Sequence, residues 1–89
     1  MELTRSEIIR MKHFCERAQE RYKLSLDSDD LAEIRELIRA GQARLLGDEG
    51  RGRKRYDLSY RNRRMPVIYD TWDEILITAL EAPVSWGHA

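Results

Sequence analysis

The chain has few of the residues that support disulfide or metal chemistry. Its 89 residues include one cysteine, Cys15, and two histidines, His13 and His88, which lie at opposite ends of the sequence. A single cysteine cannot form an intramolecular disulfide, and two distant histidines do not have metal-ligand spacing. We therefore expect no metal site and a reducing, cytoplasmic environment.

Long apolar segments are also missing. No run approaches the ~18 apolar residues needed to span a bilayer, and residues 1–7 carry no apolar signal-peptide core. Gly47, Gly50 and Gly52 lack the preceding strand and following helix of a phosphate-binding loop. These absences predict a soluble protein that is not exported, binds no cofactor and has no membrane partner.

Neither sign of charge is in excess, since sixteen basic residues balance sixteen acidic ones. The basic residues are nevertheless concentrated between residues 51 and 64, where Asp57 is the single acid. The seven cations of this basic segment are Arg51, Arg53, Lys54, Arg55, Arg61, Arg63 and Arg64. Such a cluster typically faces phosphates or an acidic protein surface, although cations also protect exposed strand edges.

Two helix start signals lie in the first half of the chain. Thr4 and Glu7 form a capping box, with Leu3 placed to pack on Ile8, and Asp27 with Asp30 forms a second N-cap. Each is followed by an apolar stripe at helical spacing, namely Ile8, Met11, Cys15, Ala18 and Tyr22, and then Leu31, Ile34, Leu37 and Ile38. We predict helices over residues 4–22 and 28–40, the second ended by Gly41.

After Gly41 the apolar period changes from 3.6 to 2. The alternation predicts strands near residues 53–60, 65–70 and 74–80, and it allows a short strand at 43–46. We expect a mobile loop at 47–52 and a turn at 61–64. The last strand is apolar on both faces, which predicts a position inside the sheet.

The predicted fold class is α+β, with two N-terminal helices packed on one face of a three- to four-stranded antiparallel sheet. The length suits a single domain, with an ordered core over about residues 4–81 and a tail at 82–89. On the uncovered face we expect Arg55, Asp57, Ser59, Ile68, Leu76, Thr78 and Leu80. Function is expected on this face or at the helix edge beside it.

One polar stripe of the first helix suggests catalysis. His13, Arg17 and Arg21 are four residues apart, so a group that titrates near neutral pH is flanked by two cations. Such a set suits cleavage of a ribose phosphodiester. The alternative is a solvated face in which Glu16 and Glu20 pair with the arginines.

The cysteine and tyrosines have simpler interpretations. Cys15 points about 200° away from His13 on the helix, which excludes a catalytic dyad and favours a core position. Tyr56, Tyr60 and Tyr69 interleave with the arginines as base-stacking residues do. Their alternation also describes core residues, which we favour for Tyr56 and Tyr60.

The chain carries, in order, the helix with His13, Arg17 and Arg21, a second helix that ends in Ile-Arg-Ala-Gly at 38–41, the strand at 56–60, and the runs at 66–70 and 75–80. This order resembles small bacterial and phage proteins that are similar to the RelE-like and colicin-like ribonuclease fold group. The resemblance implies a metal-independent endoribonuclease or an inactive RNA-binding relative. It places His13, Arg17 and Arg21 at the catalytic site, with Arg55 and Thr78 beside it. RelE-type enzymes tend to carry an arginine or tyrosine near the C-terminal strand, whereas this tail offers Trp86 and His88.

Two function classes remain open. In the first, the chain is an RNA-directed module, either a ribonuclease or an inactive relative. It holds RNA through the basic segment, Thr78 and the helix stripe of His13, Arg17 and Arg21. In the second, it is a phage-encoded inhibitor of the anti-CRISPR type that binds a host nucleoprotein complex. A row of carboxylates would then mimic a phosphate backbone, although the same row also suits helix-dipole complementation on a solvated face. That row contains Asp27, Asp29, Asp30, Glu33 and Glu36.

Overall fold

The computed structural model describes residues 5–86, which form two helices followed by a four-stranded antiparallel sheet. The elements are α1 (Arg5–Tyr22), α2 (Ser28–Arg39), β1 (Arg44–Gly50), β2 (Arg53–Tyr60), β3 (Arg63–Asp70), β4 (Ile75–Ala79) and a 3₁₀ turn, Val84–Trp86. Each strand pairs with the next in the chain, so the order across the sheet is β1-β2-β3-β4. The predicted α+β class is confirmed.

The ends of the helices follow the capping signals where the structure describes them. At the start of α2, the Asp27 side chain accepts from the Asp30 backbone N–H, and the Asp30 side chain accepts from that of Asp27. At its end, Gly41 adopts a φ of 78°, as predicted for a helix-terminating glycine. The predicted capping box at Thr4, the Leu3 contact and His88 lie outside the described residues.

Two hairpin turns set the register of the sheet. Residues 51 and 52 join β1 to β2, and residues 61 and 62 join β2 to β3, all four with positive φ. Two-residue turns with this backbone match the right-handed twist of the flanking strands. The predicted turn at 61–64 is therefore too long, because Arg63 and Arg64 already belong to β3.

The predicted loop at 47–52 is wrong, because β1 continues to Gly50. Its pairing with β2 has register shifts between Leu45 and Gly47 and between Asp48 and Gly50. Each shift places an extra residue in β1, which hides the period-2 pattern. Gly47 and Gly50, which suggested a loop, thus belong to a bulged strand.

The helices cover one face of the sheet. The core contains Phe14, Ala18, Leu31, Ile34 and Ile38 from the helices and Leu58, Tyr60, Met65, Val67, Tyr69, Leu76 and Ala79 from the strands. The core interpretation of Tyr60 is confirmed, and Tyr56 packs half-buried against the same cluster. Leu76 was expected on the opposite face, but a register shift between β3 and β4 moves it inward.

The position predicted for the last strand is wrong, because β4 is an edge strand. Helix α1 packs on it, and the Arg21 guanidinium donates to the Ala79 carbonyl oxygen at 2.7 Å. The Tyr22 hydroxyl donates to the Leu80 carbonyl oxygen. Cover by α1 explains why an edge strand is so apolar. Ile8, expected on the inward stripe, is instead 53% exposed.

Candidate functional site

The face of the sheet opposite the helices carries four arginines from three neighbouring strands. Arg44 of β1 lies opposite Asp57, while Arg53 and Arg55 of β2 lie opposite Asp70 and Ile68 of β3. Because side chains alternate along a strand, all of these point away from the core, as does Arg64 of β3. We call this surface the open sheet face.

The stem of one arginine lies against this face. Ile68, opposite Arg55, is only 8% exposed. The Nε atom of Arg55 is buried, whereas 43% of its side chain is exposed and its guanidinium pairs with Glu49 at 3.0 Å. The stem of Arg55 therefore lies against the sheet while its charged end reaches solvent. Thr78 stands opposite Ile68 on the same face and is half-buried.

Arg64 is held in a fixed position by two neighbours. Its Nε and guanidinium nitrogens donate to both carboxylate oxygens of Asp57, at 2.7 to 3.1 Å. Trp86 stacks on the same guanidinium, whose central carbon lies 3.8 Å from the ring centroid. The hydrogen bonds to Asp57 raise the pKa of Arg64 above its ordinary value. Residue 86, predicted to lie in the tail, thus contacts the sheet.

Other arginines near this face are less firmly paired. Arg53 lies 3.9 Å from the Asp70 carboxylate, whose other oxygen accepts from the backbone N–H groups of Trp72 and Asp73. Within residues 5–86, no acidic partner lies within ion-pair distance of Arg44 or Arg51. These cations are therefore available to an external anion.

The seven cations of the basic segment do not form one patch. Arg53 and the turn at 61–62 are at opposite ends of β2, about 24 Å apart at ~3.4 Å per residue. Arg61 pairs with Asp30 of α2, and Arg63 donates to the Tyr22 carbonyl oxygen at the end of α1. Lys54 lies opposite Tyr69, on the helix side of the sheet. Arg61, Arg63 and Arg64, which the sequence placed in a turn, thus each have a partner within the protein.

The predicted catalytic residues share one stripe of α1, beside β4. His13 is half-buried. Arg17 is paired with Glu20 at 2.7 Å, and Arg21 is bound to the Ala79 carbonyl oxygen. Both flanking arginines thus have internal partners, and the alternative of a paired polar face describes Arg17.

The acidic row of α2 is also largely used within the protein. Asp27 caps the helix, Asp30 is buried, and Glu36 pairs with Arg39 at 3.4 Å. The Tyr60 hydroxyl donates to Asp30 at 2.8 Å and lies 3.1 Å from a Glu33 carboxylate oxygen. Few of these carboxylates remain to mimic a phosphate backbone.

Sequence reasoning did not identify the group formed by Tyr60, Asp30 and Arg61. The Asp27 backbone N–H and the Tyr60 hydroxyl, with the nearby Arg61 cation, hold the pKa of Asp30 below its ordinary value. Burial and the hydrogen bonds to Asp30 and Glu33 raise the pKa of Tyr60 to about 12. Asp30 lies about 30 residues before Tyr60 and Arg61, so no local sequence pattern connects it with them.

Burial raises the pKa of the Cys15 thiol, which packs half-buried beside the core. A buried thiol with a raised pKa is a poor nucleophile. In residues 5–86, no three side chains of His, Cys, Asp or Glu are grouped as metal ligands. No helix in that range is both long and apolar enough to cross a membrane.

Comparison with known proteins finds no matching family model and no significant match among curated proteins or solved structures. The resemblance to RelE-like and colicin-like ribonucleases therefore stays a prediction. The open sheet face and the α1 stripe are the two candidate sites that the geometry provides.

Proposed function

We propose that the chain is a small cytoplasmic module that binds RNA through the open sheet face without cleaving it. The observation that supports this is a pair of loosely held cations, Arg44 and Arg53, on the sheet face that the helices leave uncovered, beside Arg55 and Arg64, which already pair with Glu49 and Asp57. Arginine binds phosphate oxygens through paired hydrogen bonds. A chain of zero net charge that carries loosely held cations on one exposed sheet face can bind RNA there.

Binding is favoured over cleavage by the state of the α1 stripe. A histidine general acid or base needs cations beside it to stabilise the charged phosphorane. Arg17 and Arg21 already have internal partners, a carboxylate in one case and a backbone carbonyl oxygen in the other. They would have to exchange these partners before they could hold a scissile phosphate.

The test compares two double variants with the same change in net charge. Arg44→Gln with Arg53→Gln removes two loosely held cations from the open sheet face, whereas Lys12→Gln with Lys23→Gln removes two exposed cations from α1 and the residue after it. Binding to single-stranded RNA is measured at two or more salt concentrations. The first variant should lower the slope of log K against log salt by about 1.4, or ~0.7 for each lost phosphate contact. The control should keep the parental slope.

Three results would overturn the proposal. Equal slopes in the two variants would mean that the open sheet face is not the interface. Parental binding weaker than ~10⁻⁴ M at low salt would favour inhibition of a host nucleoprotein complex instead. RNA cleavage that falls roughly 10²-fold in a His13→Ala variant would establish the ribonuclease alternative.

A further inference from the structure

Trp72 is a large aromatic side chain with an exposed surface. It lies in the turn between β3 and β4 and is 73% exposed. Exposure of this extent is unusual for tryptophan, which is highly buried on average. The side chain therefore needs an explanation other than core packing.

The indole of Trp72 is nevertheless held in place on one side. A Cβ atom at Gly52 would lie 2.5 Å from Cγ and Cδ2 of Trp72 and 2.7 Å from Cδ1. Nearly equal distances to three ring atoms place that atom above the ring plane, so the Gly52 backbone covers one face of the indole. The turn is fixed to the same glycine, because the Thr71 backbone N–H and hydroxyl both donate to the Gly52 carbonyl oxygen.

Two cations adjoin the glycine that supports the ring. Arg51 and Arg53 are the neighbours of Gly52 in the chain. Arg51 is exposed, and the nearest acidic group to Arg53 is the Asp70 carboxylate at 3.9 Å. An aromatic ring with one covered face, one open face and cations beside it is the arrangement that binds a nucleobase and its phosphate.

We infer that Trp72 is a stacking platform for one base of a single-stranded RNA, and that Arg51 and Arg53 bind the phosphate next to that base. This inference rests on the proposed function and identifies the form of RNA. In a duplex each base is stacked between its neighbours, so its face is not available to an indole. A single strand can place one base on Trp72 while its backbone continues along the arginines of the open sheet face.

The chain has two tryptophans, which makes fluorescence a direct test. In a Trp86→Phe variant all tryptophan emission comes from Trp72. The probes are a uridine homopolymer of about eight nucleotides, within the usual site size for single strands, and a blunt-ended RNA duplex at the same total concentration of phosphates. The homopolymer should change the emission of Trp72, and the duplex should not.

Affinity is then compared among three substitutions of exposed side chains. Trp72→Leu should weaken binding of the homopolymer roughly 5- to 100-fold, the usual effect of losing one stacked base. Trp72→Phe, which keeps an aromatic face, should lose less. Val84→Ser removes an equally exposed apolar side chain and is expected to bind as the parent does.

The outcomes separate this inference from the function beneath it. If the homopolymer binds with the predicted salt slope but neither the emission nor the Trp72→Leu variant responds, the stacking inference is wrong and the arginine interface stands. If no RNA binds at all, both are wrong. Should Trp72→Leu fail to fold, the emission of the Trp86→Phe protein still decides between the two results.

Discussion

At the scale of single residues, the most informative group is Tyr60 with its two acidic neighbours. Its hydroxyl is buried and donates to Asp30, while the Arg61 guanidinium pairs with the same carboxylate. The group joins the β2–β3 turn to the first turn of α2. Arg61 therefore belongs to the framework of the fold, although its place in the sequence suggested a surface cation.

We predict that Tyr60→Phe lowers the free energy of unfolding by about 1–3 kcal/mol at pH 8, because a buried carboxylate loses a hydrogen bond. Tyr69→Phe is the matched control, since the Tyr69 hydroxyl is buried and has no hydrogen-bond partner among residues 5–86. That control should be neutral or slightly stabilising. Urea unfolding of the three proteins measures the difference, and an equal loss in both variants would contradict the role given to Tyr60.

The same group predicts that the free energy of unfolding depends on pH in the alkaline range. The pKa of Tyr60 is raised from 10.0 to about 12 on folding, so its stabilising contribution is complete below pH 10 and is lost as pH rises through 12. The pKa of Asp30 is shifted in the opposite direction. Its lowered pKa contributes stability at neutral pH that disappears in acid. The Tyr60→Phe variant should lose less stability than the parent between pH 10 and 12.

At the scale of the elements, the hairpin turns fix the shape of the sheet. Gly50 and Gly52 both have positive φ, at 86° and 78°. A Cβ atom at Gly50 would meet no atom of residues 5–86 within 4 Å, whereas at Gly52 it would overlap the Trp72 ring. Substitutions at the two glycines therefore distinguish the free-energy cost of a positive φ from the cost of displacing the Trp72 indole.

We predict that Gly50→Ala costs about 1–2 kcal/mol of unfolding free energy, the usual penalty for an L-residue in this region. Gly52→Ala should cost more, and it alone should shift the emission of Trp72, because the ring has to move. Chemical unfolding followed by tryptophan fluorescence measures both quantities. Identical effects of the two substitutions would show that the indole does not rest on Gly52.

The elements also show how far local sequence patterns reach. The Asp27 capping box, Gly41 and the alternation of β2 and β3 are local signals, and the structure confirms each of them. The structural predictions that failed concern elements whose conformation depends on a contact distant in the sequence. The bulges of β1 depend on its partner strand, and the edge position of β4 depends on α1.

The predictions for the candidate site show the same difference between local and distant contacts. Alternation along β2 correctly placed Arg55 on the uncovered face. Arg61 and Arg63 have internal partners that lie 31 and 41 residues away in the sequence, which no local pattern indicates. Charge clustering in a sequence does not reveal which cations the fold will neutralise.

At the scale of the whole molecule, protection is uneven across the sheet. Six of the seven residues of β1 are exposed, whereas the last six residues of β3 are buried. β1 pairs with β2 through a ladder interrupted by two register shifts. The part of the sheet near α1 is therefore better protected from solvent than β1.

We predict that the amide hydrogens of β1 exchange with solvent through local opening, at a free energy well below that of global unfolding. Amides of β3 should exchange only when the whole molecule unfolds. Hydrogen exchange at increasing denaturant distinguishes the two, because local opening responds weakly to denaturant. Equal protection of β1 and β3 would contradict this prediction.

The packing of α1 on β4 has a consequence for how the protein is made. The first helix of the chain binds the last strand, and about 50 residues separate Tyr22 from Ile75. At ~5–20 residues per second the ribosome needs roughly 3 to 10 s to synthesise that interval. During this time Phe14 and Ala18, which become fully buried, lack the strand on which α1 mainly packs. The apolar face of newly made α1 therefore stays incompletely covered until β4 leaves the ribosome.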